Sequence, residues 1–265
     1  WDLSMQSVAS TYDAFLNDPD LGDTCLTKGI VARGTVGVTS NNTFSDVCVH
    51  GEEGFTFNNN NVYEPEAQIS MPDLATQLNH GQPFNAKKNP GIYDVLIEQS
   101  IDPVLVDKVD ALTLYFARGA EVMAIESYDP SLLLDGDHLY VHCAAPGTLT
   151  LPTGRIQDLI LTTNCALEFS GGGVFVNSVI ATTMDAGADT LAFAALVEAA
   201  GISVSLGGAL TLGGGLLDAL VGEQDAVTGA SDVSLGEEDA CTLGGGTLLA
   251  ADGNINFAAK TGIYG

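Results

Sequence analysis

Asp135, Asp137, His138 and, four residues on, His142 form the densest group of ligand-type side chains in the sequence. On a β-strand His138 and His142 share a face, and together with a carboxylate they offer a divalent metal imidazole and oxygen donors. Two histidines at this spacing are a sparse set, and solvated strand residues fit the same pattern. His50, beside Cys48 and followed by Glu52-Glu53, has the residue types for acid-base work on a saccharide. Adjacent Glu residues on a strand point to opposite faces, which argues against their acting as a catalytic pair. Glu237-Glu238-Asp239 and Asp252-Gly253-Asn254 are acidic turns with oxygen donors suited to Ca2+, although neither completes a calcium loop. The run Ala209 to Gly215 has the glycines of a phosphate-binding loop but lacks its Lys and its Ser or Thr.

The five cysteines are Cys25, Cys48, Cys143, Cys165 and Cys241, and none forms the close pair that zinc or thioredoxin-type chemistry uses. Two pairs, separated by 23 and 22 residues, suit disulfides between neighbouring layers of a fold. The expected bridges are Cys25 with Cys48 and Cys143 with Cys165, in an oxidising compartment. Cys241 is then left for an external partner. Five buried thiols in a cytosolic core are the alternative.

The elements that must position these residues come from a chain of 265 residues with 34 Asp plus Glu against 8 Lys plus Arg, a net charge of −26. Such a charge repels phosphate backbones and anionic membranes, which excludes nucleic-acid binding. Hydrophobic residues make up 46% of the chain, enough for a core, and 31 glycines bounding short apolar runs favour a turn-rich β protein. The longest uncharged stretch, residues 199–217, has the bare length of a membrane span. Its glycines and its alternation at Ser203 to Leu206 and Ala209 to Leu212 predict strands instead.

The chain also repeats itself. Val36 to Phe44 aligns with Phe55 to Tyr63 at an offset of 19, and Ile156 to Thr163 aligns with Val176 to Thr183 at an offset of 20. A period of 19–20 residues made of short strands and Gly or Asn turns predicts a mainly β fold, a β-solenoid whose coils stack about 4.8 Å apart. A β-sandwich with two chance self-matches is the alternative. In the solenoid, Val36 and Val38 stack on Phe55 and Phe57, and Ile156 and Leu159 on Val176 and Val179. Asn41 and Asn42 over Asn60 and Asn61 form an amide ladder. Residues 91–125 carry apolar residues at three- and four-residue spacing, which predicts an inserted helix, and 190–200 a second, short one. The expected organisation is solenoid coils over 1–72, a loop and helical insertion over 73–130, and further coils over 131–265.

Val47-Cys48-Val49-His50-Gly51-Glu52-Glu53-Gly54, the Asn run after it and Ile69-Ser70-Met71-Pro72 resemble a known family, as do Leu161 to Cys165, Val179 to Thr183, Val233 to Gly236 with Cys241, and Leu248 to Ala259. The chain is similar to the secreted, β-rich part of TadG-like proteins of alphaproteobacterial type, associated with tight-adherence (Flp) pili. That resemblance implies an extracellular or envelope-surface component and no reaction. It also implies a membrane anchor outside this chain and a further Cys beyond the Gly-Ile-x-Gly block, here Gly262 to Gly265. The expected function is a non-enzymatic structural or adhesive subunit of a bacterial surface appendage, with other copies of itself or appendage subunits as partners. A polysaccharide-active β-helix enzyme and a phage or virus fibre module are the alternatives. The last coil, Ile255 to Ile263, is expected to be covered by another chain or continued by further residues.

Overall fold

Short alternating runs broken by Asn, Asp and Gly corners give strands of two to five residues, each too short to stand alone and each satisfied by a neighbour one coil away. The computed structural model describes residues 29–64, 66–74, 87–98, 119–183, 225–236 and 247–264. The first coil is β1 (Gly29–Ala32), β2 (Val36–Val38) and β3 (Thr43–Ser45), and the second is β4 (Cys48–Gly51), β5 (Phe55–Phe57) and β6 (Val62–Tyr63). β7 (Gln68–Met71), a single helical turn α1 (Ile92–Val95) and β8 (Leu96–Glu98) follow. The chain resumes with β9 (Glu121–Ala124) and then β10 (His138–His142), β11 (Thr148–Leu151) and β12 (Gly154–Gln157). Three more coils are β13 (Ile160–Thr163), β14 (Ala166–Phe169), β15 (Gly173–Val176); β16 (Val179–Thr182), β17 (Asp225–Gly229), β18 (Ser234–Leu235); and β19 (Leu248–Ala251), β20 (Asn254–Phe257), β21 (Gly262–Tyr264).

The strands form three parallel sheets, the faces of a β-solenoid. Sheet A has nine strands in the order β8-β7-β4-β1-β19-β16-β13-β10-β9, sheet B six in the order β11-β14-β17-β20-β2-β5, and sheet C six in the order β12-β15-β18-β21-β3-β6. The stacking order is not the chain order. The described chain starts in the middle of the stack, winds out to β8, resumes at the opposite end with β9, and winds back until its last coil lies on its first. Eight strand spacings of about 4.8 Å separate β8 from β9, so these two edge strands lie roughly 38 Å apart.

Inward side chains form continuous columns. On sheet B, Val36 lies beside Phe55 and Val38 beside Phe57, as the repeat predicts. On sheet C, Phe44 and Tyr63 stack with ring centroids 5.1 Å apart and planes 8° from parallel. The second repeat is corrected by one residue. Ile156 pairs with Phe175, Gln157 with Val176 and Ile160 with Val179, an offset of 19. Asp158 and Asn177 occupy equivalent corners with left-handed φ of 58° and 48°, and the Asn177 amide donates to the Asp158 carboxylate. Those corners set the register, because a slip of one residue turns every side chain to the other face. Val176 misleads the sequence comparison because it is apolar and buried yet lies outside the central core.

Two further expectations change. Of the helix expected over 91–125, residues 92–95 make one turn, while Leu96–Glu98 and Glu121–Ala124 pair as edge strands of sheet A. Pairing with an existing sheet edge overrides a helical spacing here; residues 99–118 lie outside the described residues, as do 184–224 with the expected second helix and the expected strands. The last coil is not left for another chain. β19, β20 and β21 pair with β1, β2 and β3 of the same chain. Arg33 Nη1 lies 2.9 Å from Asp252 Oδ1 across this seam, and the Thr35 amide and hydroxyl both donate to Asn254 Oδ1.

At each end of the stack a segment of the same chain packs on the core. Ile92 and Val95 of α1 are buried against the core beyond β6 and β7. At the other end Ile125, Tyr128 and Leu133 pack on the core, and the Tyr128 hydroxyl donates to the Thr150 carbonyl on edge strand β11.

Candidate functional site

Among the expected metal ligands, Asp135 and Asp137 are engaged locally. Asp135 Oδ1 accepts from the Gln157 amide and Asp137 Oδ2 from the Leu134 amide, both at 2.8 Å, which fastens the closing segment to β12. His138 and His142 begin and end β10, with Tyr140 between them. They share a face as expected, but four residues at a rise of about 3.3 Å hold them roughly 13 Å apart, too far for one ion. Among the described residues no group of three or more His, Cys, Asp or Glu comes together for a metal. The expected calcium turn at Asp252 is occupied by the ion pair with Arg33, and Asn254 accepts from Thr35; Glu237 to Asp239 lie outside the described residues.

The amide ladder forms in part and extends beyond the expected pair. Asn42 and Asn61 are buried one coil apart, and the Asn42 backbone and side-chain N–H groups both donate to Asn61 Oδ1, at 3.0 and 3.1 Å. Asn89, from the chain that closes the stack, accepts from the Asn61 amide at 3.1 Å, and on the other side Asn42 Oδ1 accepts from the Thr261 amide at 2.8 Å. The ladder therefore crosses the seam. Asn41 and Asn60 are not in it: both sit at exposed corners with φ of 64° and 65°, where Asn is tolerated better than most residues.

Cys143 and Cys165 are bridged, with Cα atoms 5.4 Å apart, and tie β10 and its neighbouring coil together. Cys48 is also in a disulfide, with a partner outside the described residues. Cys25 and Cys241 lie outside them as well.

His50 is in a setting that residue types alone did not reveal. Its imidazole is buried on sheet A, with Nδ1 3.0 Å from the Ser70 hydroxyl one coil away and Nε2 2.9 Å from Glu52 Oε2. Nε2–H donates to the carboxylate, so Nδ1 accepts from Ser70. Burial holds the imidazole below its ordinary pKa, while the hydrogen bond and charge of Glu52 pull the other way. The order hydroxyl, imidazole, carboxylate is that of an activated nucleophile. Here Ser70 and His50 are both fully buried and a sheet column encloses them, with Val31 beside His50 and Ile97 beside Ser70. The trio acts as a cross-coil tie. The signal for it was the coil period, since His50 and Ser70 are 20 residues apart.

Residues 29–143 match a family described as a domain of unknown function, DUF7867. No curated protein and no solved structure matches the chain. Among the described residues no helix is long and apolar enough to cross a membrane.

What remains available to a partner is set by the faces. Sheet A carries a second column outside the core, in which by register Ser70, His50, Val31, Ala250, Ala181, Thr162 and Tyr140 follow one another, all of them buried. Sheet B is different. By register its central outward column runs Thr150, Glu168, Thr228, Asn256, Gly37, Thr56. Glu168, Thr228 and Thr56 are exposed. A side chain at Gly37 would strike Asn256 Oδ1, its Cβ falling 2.1 Å away. The Asn256 amide lies over that glycine and donates to Asp225 at 2.6 Å, which holds Asp225 at the margin of the face.

Proposed function

We propose that this protein is a non-enzymatic structural or adhesive module of a bacterial surface appendage, working outside the cell or at the envelope surface by binding a surface or associating with appendage subunits. The observation that carries this reading is sheet B: a solvent-facing sheet whose central outward column is Thr, Asn and Gly with one Glu, on a stack of parallel coils. A stack of parallel coils fixes the spacing of its outward groups with little conformational freedom left to lose, which suits contact over an area more than chemistry at a point. The Cys143–Cys165 bridge suits an oxidising compartment. The link to tight-adherence pili rests on the sequence resemblance.

The test is cell fractionation of the native host combined with an adhesion assay on a strain lacking the gene. The module is expected in the envelope or shed fraction, and its loss is expected to lower attachment at least several-fold. A cytosolic location, or attachment unchanged in the deletion strain, would overturn the proposal.

A further inference from the structure

Resting on the adhesive reading, we infer that sheet B is the docking face and that its partner is a neutral polysaccharide presented as extended chains. Charge complementarity comes first. The protein carries −26, yet in the central column of sheet B Glu168 is the single ionisable residue, and Asp225 at its margin is engaged by Asn256. A polyanion is repelled by the net charge of the molecule, and a polycation gains little from a column with one carboxylate. A neutral surface is the partner that this column suits.

The side chains narrow the chemistry. Thr hydroxyls and Asn amides each donate and accept, the same dual capacity that sugar hydroxyls have. Glu168 is the one longer side chain in the column; Thr56, Gly37, Asn256, Thr228 and Thr150 are short. Ordering them costs little entropy, since most rotamer freedom is already absent. The six strands repeat these groups about every 4.8 Å over roughly 24 Å, matching a partner whose own hydroxyls recur along its length. Sheet C offers no equivalent: its outward positions include Arg155, Glu64 and Val62, the last 48% exposed.

Binding of the purified full chain to suspensions of cellulose, chitin and starch is measured by depletion from solution, with alginate gel as an anionic control. Thr228→Arg and Thr56→Arg each place a long charge on the face, and Val62→Arg makes the equivalent change on sheet C; circular dichroism verifies that each variant is folded. Binding to at least one neutral polysaccharide, weakened tenfold or more by either Thr variant and unchanged by Val62→Arg, is the expected result. Binding that survives both Thr variants, binding to alginate alone, or no binding to any neutral polysaccharide overturns the inference. Arrest or shaping of ice crystals without glycan binding would overturn it as well, assigning the face to ordered water. The adhesive reading is judged separately by the deletion strain, so attachment that depends on the gene while sheet B proves inert would sink the inference alone.

Discussion

Replacing Asn42 by Ala strikes three coils at once. Its side chain accepts from the Thr261 amide at 2.8 Å and donates to the Thr39 carbonyl at 3.0 Å and to Asn61 Oδ1 at 3.1 Å. Asn42, Asn61 and Thr261 are all buried, so water does not replace what is lost. Leaving the Thr261 donor unpaired costs about 1–3 kcal/mol, and the vacated amide volume about 1 more. Together these give about 2–4 kcal/mol, or roughly 5–10 °C in Tm for a chain of this size. Asn42→Asp sharpens the test because it keeps the shape. The introduced carboxylate still accepts from Thr261 but turns a second oxygen toward the Thr39 carbonyl and Asn61 Oδ1. Burial and these two acceptors raise the folded-state pKa of the new carboxyl above its unfolded value of about 3.9. The penalty is therefore absent below about pH 4 and grows as pH rises through that value until the folded pKa is passed. Urea and thermal unfolding at about pH 3.5 and about pH 7 should show Asn42→Asp close to wild type at the lower pH and clearly less stable at the higher. Asn41→Gly is the control, since Asn41 is exposed with φ of 64° and glycine accepts that conformation freely. Asn42→Ala unfolding within about 1 °C of Asn41→Gly would refute the ladder as a stabilising element.

Reducing the Cys143–Cys165 bridge, or replacing both residues by Ala, frees a 22-residue loop and should destabilise the protein by about 3 kcal/mol, read by urea unfolding with and without reductant. Gly37→Val should drive Asn256 off the face and release Asp225, lowering Tm by several degrees, with Gly37→Ala intermediate; equal Tm values would contradict the close approach. His50 has a folded pKa below its unfolded value of about 6.5, so its contribution is present above that pH and is lost as pH falls below it. Unfolding free energies from about pH 7.5 to about pH 5 should fall for the wild type and fall less for His50→Gln.

The coil period and inward alternation were legible in the sequence because a solenoid turns a local repeat into a contact one coil away: Val36 on Phe55 and Asn42 on Asn61 follow from an offset of 19 alone. The same logic places Cys143 beside Cys165, and His50 over Ser70 obeys it although residue types gave no hint of that pair. The one-residue error at Val176 arose where apolar residues occupy both sides of a strand, so hydrophobicity no longer reported which side faced the core. His138 and His142 show the reverse limit, since sharing a face says nothing about distance along it.

Residue types and their period thus determined that the chain is a β-solenoid with coils near 19–20 residues and, in the first repeat, which side chains line its interior. Only the tertiary structure decided the order of the coils. Every coil edge offers the same parallel N–H and C=O groups, so backbone pairing does not distinguish the edge of β1 from any other. The choice lies in groups without a periodic signal, Arg33 with Asp252 and Asn42 with Thr261, each pair 219 residues apart. Such pairs become neighbours because the described chain starts mid-stack and returns along it, a path that no local spacing encodes.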